Sequence, residues 1–283
     1  MQKPMMAICY DFDGTLSTSP MQENKSLPSV GVSPDVFWSE VNAISKRDHA
    51  DNILIYMMLM LQKARSADEP ITRKVFRDKG DGMTFWDGVD TWFDRVNDYA
   101  RRARVDIRHY VISSGNEEII QGTSIAGRFD RIFACRFHFD SNGVADWPAV
   151  AVNYTTKTQF LFRINKGCLD MDDDGVNDYV PDDERPIPFS NIVYIGDGET
   201  DVPCFRTVRS LGGLSIGVYP PHRRGGKETV RRLLSDGRID AYCPADYREG
   251  MQLESIVCSA IDEVGDPVTV GGPLPAVCSA ARR

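Results

Sequence analysis

Two aspartates separated by one residue, Asp11 and Asp13, close the apolar run Met5-Met6-Ala7-Ile8-Cys9-Tyr10, and Gly14-Thr15-Leu16 follow at once. A run of this composition reads as a strand buried on both faces, so the two carboxyls leave its C-terminal end together. Three other segments carry related chemistry: Ser113-Ser114-Gly115, Lys157 at the start of an amphipathic stretch, and Gly196-Asp197-Gly198-Glu199-Thr200-Asp201. Carboxylates brought together repel one another unless a cation lies among them, and oxygen ligands with room for water and phosphate suit Mg²⁺. A carboxylate beside such a metal can attack phosphorus and form an acyl phosphate. The second acid, two residues on, emerges on the same side of an extended chain, close enough to protonate a departing alkoxide and then deprotonate water. Ser113 and the backbone N–H groups at the start of the next helix would hold phosphoryl oxygens, and Lys157 would balance charge on nucleophile and phosphate. Aspartate-rich turns, Ser-Gly turns and solvated helix-start lysines are each ordinary when taken alone. In this order at strand ends, they describe a phosphoryl-transfer site.

Such segments share one edge only if the strands run parallel. The spacing predicts strands at Ile107–Ile112, Ile132–Cys135, Ile192–Ile195 and Leu214–Tyr219, alternating with helices near Glu117–Ala126, Thr156–Ile164, Val202–Val208 and Glu228–Leu234. That alternation is the signature of a parallel sheet with helices on both faces. Phe137–Asp140 and Val144–Trp147 flank Ser141-Asn142-Gly143 and read as a small inserted hairpin, because Asn-Gly suits its turn. Between Ser17 and about Gly88 the reading is all-helical. Ser33 caps a helix with Pro34 at its first position and Phe37, Val41 and Ile44 on one face; a second carries Ile53, Met57, Met60, Leu61 and Ala64. A third follows, with Val89, Trp92, Phe93, Val96 and Tyr99, and a last helix carries Leu253, Ile256, Val257 and Ile261.

Composition narrows the class of protein. The 283 residues are 42% hydrophobic and 26% charged, which excludes collagen-like, coiled-coil and wholly disordered chains. Lys plus Arg number 33 against 41 Asp plus Glu, a net charge of −8, which argues against a broad nucleic-acid footprint. The longest apolar stretch, Ile53 to Leu61, is about half of what a bilayer span needs, and the N-terminus lacks the apolar region of a signal peptide. A cytoplasmic protein without membrane association is expected. Cys9, Cys135, Cys168, Cys204, Cys243, Cys258 and Cys278 form no C-x-x-C pair, so neither a disulfide framework nor a zinc site is indicated.

Asp11-x-Asp13-Gly14-Thr15, Ser113-Ser114-Gly115, helix-opening Lys157 and Gly196-Asp197-Gly198-x-Thr200-Asp201 together resemble the four motifs of the haloacid dehalogenase-like hydrolase superfamily. The likeness spans about Met6 to Asp262, and the layout is most similar to the phosphoserine-phosphatase-like branch with a helical cap of the C1 type. It implies an α/β fold, a Rossmann-like parallel-sheet core over 1–16 and 89–264 with an inserted helical cap over 17–88; the Gly/Pro/Ala-rich stretch 265–283 has little to bury and is expected to be a disordered tail. It implies that Asp11 is the nucleophile and Asp13 the general acid/base. Asp11, the Asp13 backbone carbonyl and Asp197 would bind Mg²⁺, with Asp201 supporting the metal. Gly14, Thr15, Ser113, Ser114, Gly115 and Lys157 would surround the phosphate. Haloacid dehalogenases lack the second acid of the first motif, so the presence of Asp13 favours phosphate ester hydrolysis over carbon–halogen cleavage. The expected substrate is a small phosphorylated metabolite. Transfer to another acceptor, as in a mutase, and a non-catalytic metal-sensing protein are the rival readings.

Other features are looser. Lys166 is a second candidate for the third motif, with Lys157 preferred because it opens the helix bearing Phe160, Leu161 and Ile164. Asp170, Asp172 and Asp174 followed by Gly175 match the first half of a calcium loop, but its twelfth position is Pro181 where a bidentate glutamate is needed. Weak Ca²⁺ binding or a solvated acidic loop are the two expectations. Gln22 and Glu23 lie close enough to the first motif to reach a leaving group, and His222 to Lys227 could attract an anion or be plain solvated loop.

Overall fold

The computed structural model describes residues 3–23, 31–222 and 226–265. Its centre is a seven-stranded sheet in the order β4-β3-β2-β1-β5-β6-β7. The strands are β1 (Met5–Tyr10), β2 (Asp106–Asn116), β3 (Arg131–Phe139), β4 (Ala145–Val150), β5 (Ile192–Gly196), β6 (Leu214–Tyr219) and β7 (Ala241–Pro244). All pairings are parallel except β3 with β4. Continuous apolar sequences sit where both faces are covered: Met6 to Tyr10 and Ile192 to Ile195 are fully buried. The chain works outward from β1 through β2, β3 and β4, then returns to β5 on the other side of β1. Such a reversal opens a crevice beyond the strand C-termini, and register puts Tyr10 level with both Val111 and Ile195.

Nine α-helices among the described residues complete the layers: α1 (Pro34–Asp48), α2 (Asn52–Ser66), α3 (Arg73–Gly80), α4 (Val89–Arg102), α5 (Glu117–Gln121), α6 (Lys157–Lys166), α7 (Val202–Ser210), α8 (Gly226–Ser235) and α9 (Gln252–Val264). The α4 helix buries Val89, Trp92, Phe93, Val96 and Tyr99, the stripe its spacing predicts. The segment between β1 and α4 leaves and returns side by side, because Thr18 N–H donates to the Thr84 carbonyl at 3.1 Å and Trp86 N–H to that of Leu16 at 3.0 Å. Within it, α1 and α2 pack on each other and α2 reaches β4, whereas α3 lies on α5. That last contact is backbone against backbone. A Cβ on Gly122 would meet the Arg77 carbonyl oxygen at 1.8 Å, and one on Gly80 the Ile119 carbonyl oxygen at 2.1 Å.

Several elements differ from expectation. The helix expected over Glu117–Ala126 stops at Gln121, since Gly122 is spent on the crossing with α3. The hairpin is no separate insertion, as β3 runs unbroken from its parallel pairing with β2 into its antiparallel pairing with β4, around Gly143 at φ +76°. Strand β2 continues through Ser113 to Asn116, so the second motif lies within the strand instead of after it. The helix α3 and the short strand β7 were not anticipated. The expected disordered tail beyond Gly265, Cys278 within it and Arg223 to Gly225 of the basic loop fall outside the described residues.

A chain of buried donors ties sheet to helix behind the crevice. Trp92 Nε1 donates to the Tyr10 hydroxyl at 2.9 Å, which lies 3.1 Å from His109 Nδ1, and His109 Nε2 lies 3.2 Å from Asn97 Oδ1. Indole N–H can only donate, so Tyr10 passes its own proton to Nδ1 and the imidazole donates from Nε2. Burial holds His109 neutral, with its pKa lowered to about 4.

Candidate active site

Asp11 follows β1 directly, and its backbone N–H still pairs with the Ile195 carbonyl at 2.9 Å. Its side chain therefore enters the crevice between β1 and β5. Lys157 opens α6, and a side chain at a helix start leans back past the N-terminus toward the sheet edge. There the Nζ donates to Asp11 Oδ1 at 2.8 Å and to Asp201 Oδ1 at 2.7 Å, with the lysine 1% exposed. The same Asp201 oxygen accepts from the Tyr194 hydroxyl at 2.8 Å. Carboxylate oxygens of Asp11, Asp197 and Asp201 lie within 4.8 Å of one another. Burial raises the Asp11 pKa against the opposing pull of Lys157, and burial with the charges of Asp11 and Asp201 raises that of Asp197. The two aspartates raise that of Lys157 despite its burial. One ammonium thus serves a crowd of carboxylates, a donor set suited to a divalent cation.

Asp13 stands apart from this trio. Its Oδ1 accepts from Met21 N–H at 2.9 Å and from the Ser17 hydroxyl at 3.4 Å, while burial and the neighbouring Asp11 push its pKa up to about 8. Gly14 adopts φ +78°, and a Cβ there would lie 2.2 Å from Asp197 Oδ2, so glycine lets the first and fourth motifs close on each other. Thr15 is buried, its carbonyl accepting from the Tyr247 hydroxyl at 2.8 Å while its own hydroxyl finds no partner among the described residues. Ser113 is 1% exposed, and its Oγ accepts from Gly115 N–H at 3.0 Å. Met21 covers Gly115, for a Cβ on that glycine would meet Met21 Cε at 2.1 Å.

The family model of the haloacid dehalogenase-like hydrolases matches residues 8–206, which takes in all four segments. The chain belongs to that family. An uncharacterised protein of Borreliella burgdorferi (strain ATCC 35210 / DSM 4680 / CIP 102532 / B31) is 27% identical over 284 residues, covering 91% of this chain and 96% of its own. Among solved structures, a probable phosphoserine phosphatase from Vibrio cholerae, in unliganded form, superposes with a TM-score of 0.56 at 13% identity over 93% of this chain. A haloacid dehalogenase family hydrolase from Salmonella enterica subsp. enterica serovar Typhi gives 0.53 at 17% identity over 77% of it. The chain spans 66% and 64% of those two proteins, just under two thirds of each. At these identities the likeness establishes the fold, a Rossmann-like α/β core. No helix among the described residues is long and apolar enough to cross a membrane.

In this haloacid dehalogenase-like chain the inserted helices touch the motifs directly, which the sequence did not reveal. The Tyr56 hydroxyl of α2 donates to the Ser114 carbonyl at 2.9 Å. Asp51, which caps α2 through Ile53 and Leu54 N–H, also accepts from Asn153 Nδ2, and Asn153 in turn accepts Lys157 N–H at 3.0 Å. Trp86 Nε1 donates to the Gly14 carbonyl at 2.9 Å. Tyr56 had no distinguishing mark within a helix of apolar residues, and Tyr194 none within a buried strand. Gln22 is buried, and Glu23 is engaged by Trp38 Nε1 at 3.2 Å.

Lys166 is nowhere near this constellation. It sits in the last turn of α6, where its Nζ donates to the carbonyls of Val176 at 2.7 Å and Asp178 at 2.6 Å. The Ca²⁺ expectation at Asp170, Asp172 and Asp174 is likewise not supported. Arg163 Nη1 donates to the carbonyls of Asp170 at 2.6 Å and Asp173 at 3.0 Å, and Nη2 to that of Met171 at 3.2 Å. Asp170 is further paired with Arg131 at 2.7 Å. Two side-chain cations of α6 hold the loop from inside, so these carbonyls already accept from Arg163 and Lys166.

Proposed function

We propose that the chain is a phosphatase that hydrolyses a small phosphomonoester through an aspartyl phosphate on Asp11. The observation that carries this reading is the buried Lys157 ammonium shared between strand-end Asp11 and Asp201, with Asp13 two residues beyond the first. Lys157 fixes the Asp11 carboxylate by one oxygen and offsets charge as a phosphate dianion approaches. Asp11 attacks phosphorus, the bond to the leaving oxygen breaks, and Asp13 gives its proton to that oxygen. Water then attacks the acyl phosphate while Asp13 takes the proton back, which frees inorganic phosphate and restores Asp11. The Ser113 hydroxyl and the backbone around Gly14, Thr15 and Ser114 hold the phosphoryl oxygens, while the Gly115 N–H holds Ser113 Oγ.

Asp11, Asp197 and the Asp13 carbonyl would hold Mg²⁺, with Asp201 supporting the site through Lys157 instead of as a direct ligand. Bound there, Mg²⁺ would neutralise negative charge where nucleophile and phosphate meet. Residues 17–88 serve as a cap whose α1 and α2 restrict the leaving group, and a net charge of −8 gives no general attraction to polyanions.

Phosphate release from p-nitrophenyl phosphate and from a panel of phosphorylated metabolites tests this reading. Turnover is expected with Mg²⁺, none with EDTA, and none for Asp11→Asn. A fully active Asp11→Asn protein or metal-independent turnover would overturn it.

A further inference from the structure

We propose that Tyr56, on the inserted helix α2, is a positioning residue that aims the Ser113 hydroxyl, an inference that rests on the phosphatase reading. The Ser114 carbonyl and the Gly115 N–H belong to one planar trans peptide and point in opposite directions. Tyr56 holds the carbonyl end of that peptide at 2.9 Å, helped by the Cys135 thiol at 3.3 Å. The N–H end thereby points at Ser113 Oγ, 3.0 Å away. Because Ser113 Oγ accepts this bond with one lone pair, its own proton is left to donate to a phosphoryl oxygen. Rotation of the peptide would withdraw the Gly115 donor and free the hydroxyl to turn.

The seating of α2 adds the strongest of the contacts that resist such rotation. Tyr56 is 1% exposed, packed against Trp38 with ring centroids 5.9 Å apart. Met21 covers the far side of Gly115, and its Sδ accepts Asn116 N–H at 3.1 Å. At its N-terminus the same helix grips Asn153, which accepts Lys157 N–H. Helix α2 thus contacts two segments that carry phosphate-handling groups, and its seating sets their geometry as well as covering the substrate.

A double-mutant cycle on p-nitrophenyl phosphate tests the proposal, using Tyr56→Phe, Ser113→Ala and the two combined. Tyr56→Phe removes one oxygen and keeps the packed ring. It should lower kcat about fivefold to tenfold in the wild-type background, the effect of losing one hydrogen bond. In the Ser113→Ala background it should cost less than about twofold, because the group it aims is gone. An equal loss in both backgrounds, or no loss in the first, would overturn the proposal. Amide exchange of Gly115, followed by NMR without substrate, reads the same peptide independently of turnover. Faster exchange in Tyr56→Phe is expected and unchanged exchange would refute the linkage, whereas absent wild-type turnover would count against the phosphatase reading alone.

Discussion

Replacing Lys157 by methionine keeps the aliphatic stem and deletes the charge, so it isolates the role of the ammonium. In the structure that ammonium reaches two carboxylates at 2.8 and 2.7 Å with essentially no exposure to water. Removing one partner of a buried ion pair typically costs about 3–5 kcal/mol, because the remaining charge stays desolvated. Here the variant leaves Asp11 and Asp201 facing each other beside Asp197. Against a total stability of order 5–15 kcal/mol, the loss should be about a fifth or more. Urea unfolding in EDTA at pH 8 and pH 5.5 measures it. With Lys157 gone, the folded-state pKa of Asp11 rises further, while the unfolded value stays near 4. As pH falls from 8 the folded state takes up a proton that the unfolded state does not, so the deficit is largest at pH 8 and shrinks at pH 5.5. Lys166→Met serves as the contrast. Its ammonium donates to the carbonyl oxygens of Val176 and Asp178, so the loss should be about 1–2 kcal/mol, with turnover unchanged. A Lys157→Met protein within about 1 kcal/mol of wild type at pH 8, or a deficit that grows on acidification, would refute the electrostatic argument.

His109 supplies a second pH test: its pKa falls from 6.5 to about 4 on burial, so the unfolded chain binds a proton between those values and the folded chain does not. Stability from this group is full above pH 6.5 and declines by about 3 kcal/mol toward pH 4. The wild-type stability relative to His109→Gln should fall by that amount across the window in denaturant titrations, and parallel profiles would show that His109 does not titrate as buried. Gly122→Ala should destabilise by more than about 3 kcal/mol in thermal or urea melts, because a backbone oxygen stands in the way of the new methyl; a neutral effect would mean that the crossing relaxes easily. Arg163→Met should expose residues 168–178 to limited proteolysis, and Ca²⁺ should protect neither protein, whereas calcium heat in calorimetry that vanishes in Asp172→Asn would restore the calcium reading.

Much of the core was legible because one residue property decided each piece. An apolar run with no alternation gives a strand covered on both faces, and Asp11 and Asp197 follow two such runs, β1 and β5, which are neighbours in the sheet. Lys157 was distinguishable from Lys166 by helix position alone, since opposite ends of α6 face opposite ends of the sheet. What escaped was set by tertiary contact. Helix α3, Arg-Lys-Val-Phe-Arg-Asp-Lys-Gly, buries only Phe76 and Gly80 and has too little apolar periodicity to announce itself. Strand β7 ends in Pro244, which an edge tolerates and a central strand would not. The calcium-like spacing was read correctly as spacing, but the identity of what fills the loop depends on Arg163, a residue outside the pattern.

The crossing of α3 with α5 at Gly80 and Gly122 divides the inserted segment mechanically. Two backbones in direct contact cannot slide or roll without collision, so α3 travels with the sheet as part of its chassis. On the proposed phosphatase reading, a hinge that admits substrate lies outside α3, near Ser17 and in the stretch between Ser66 and Thr72. That assigns any such movement to α1 and α2. On that same reading, the aperture for a leaving group is set by how far those two helices tilt away from a fixed third, so the pivot lengths would limit substrate size.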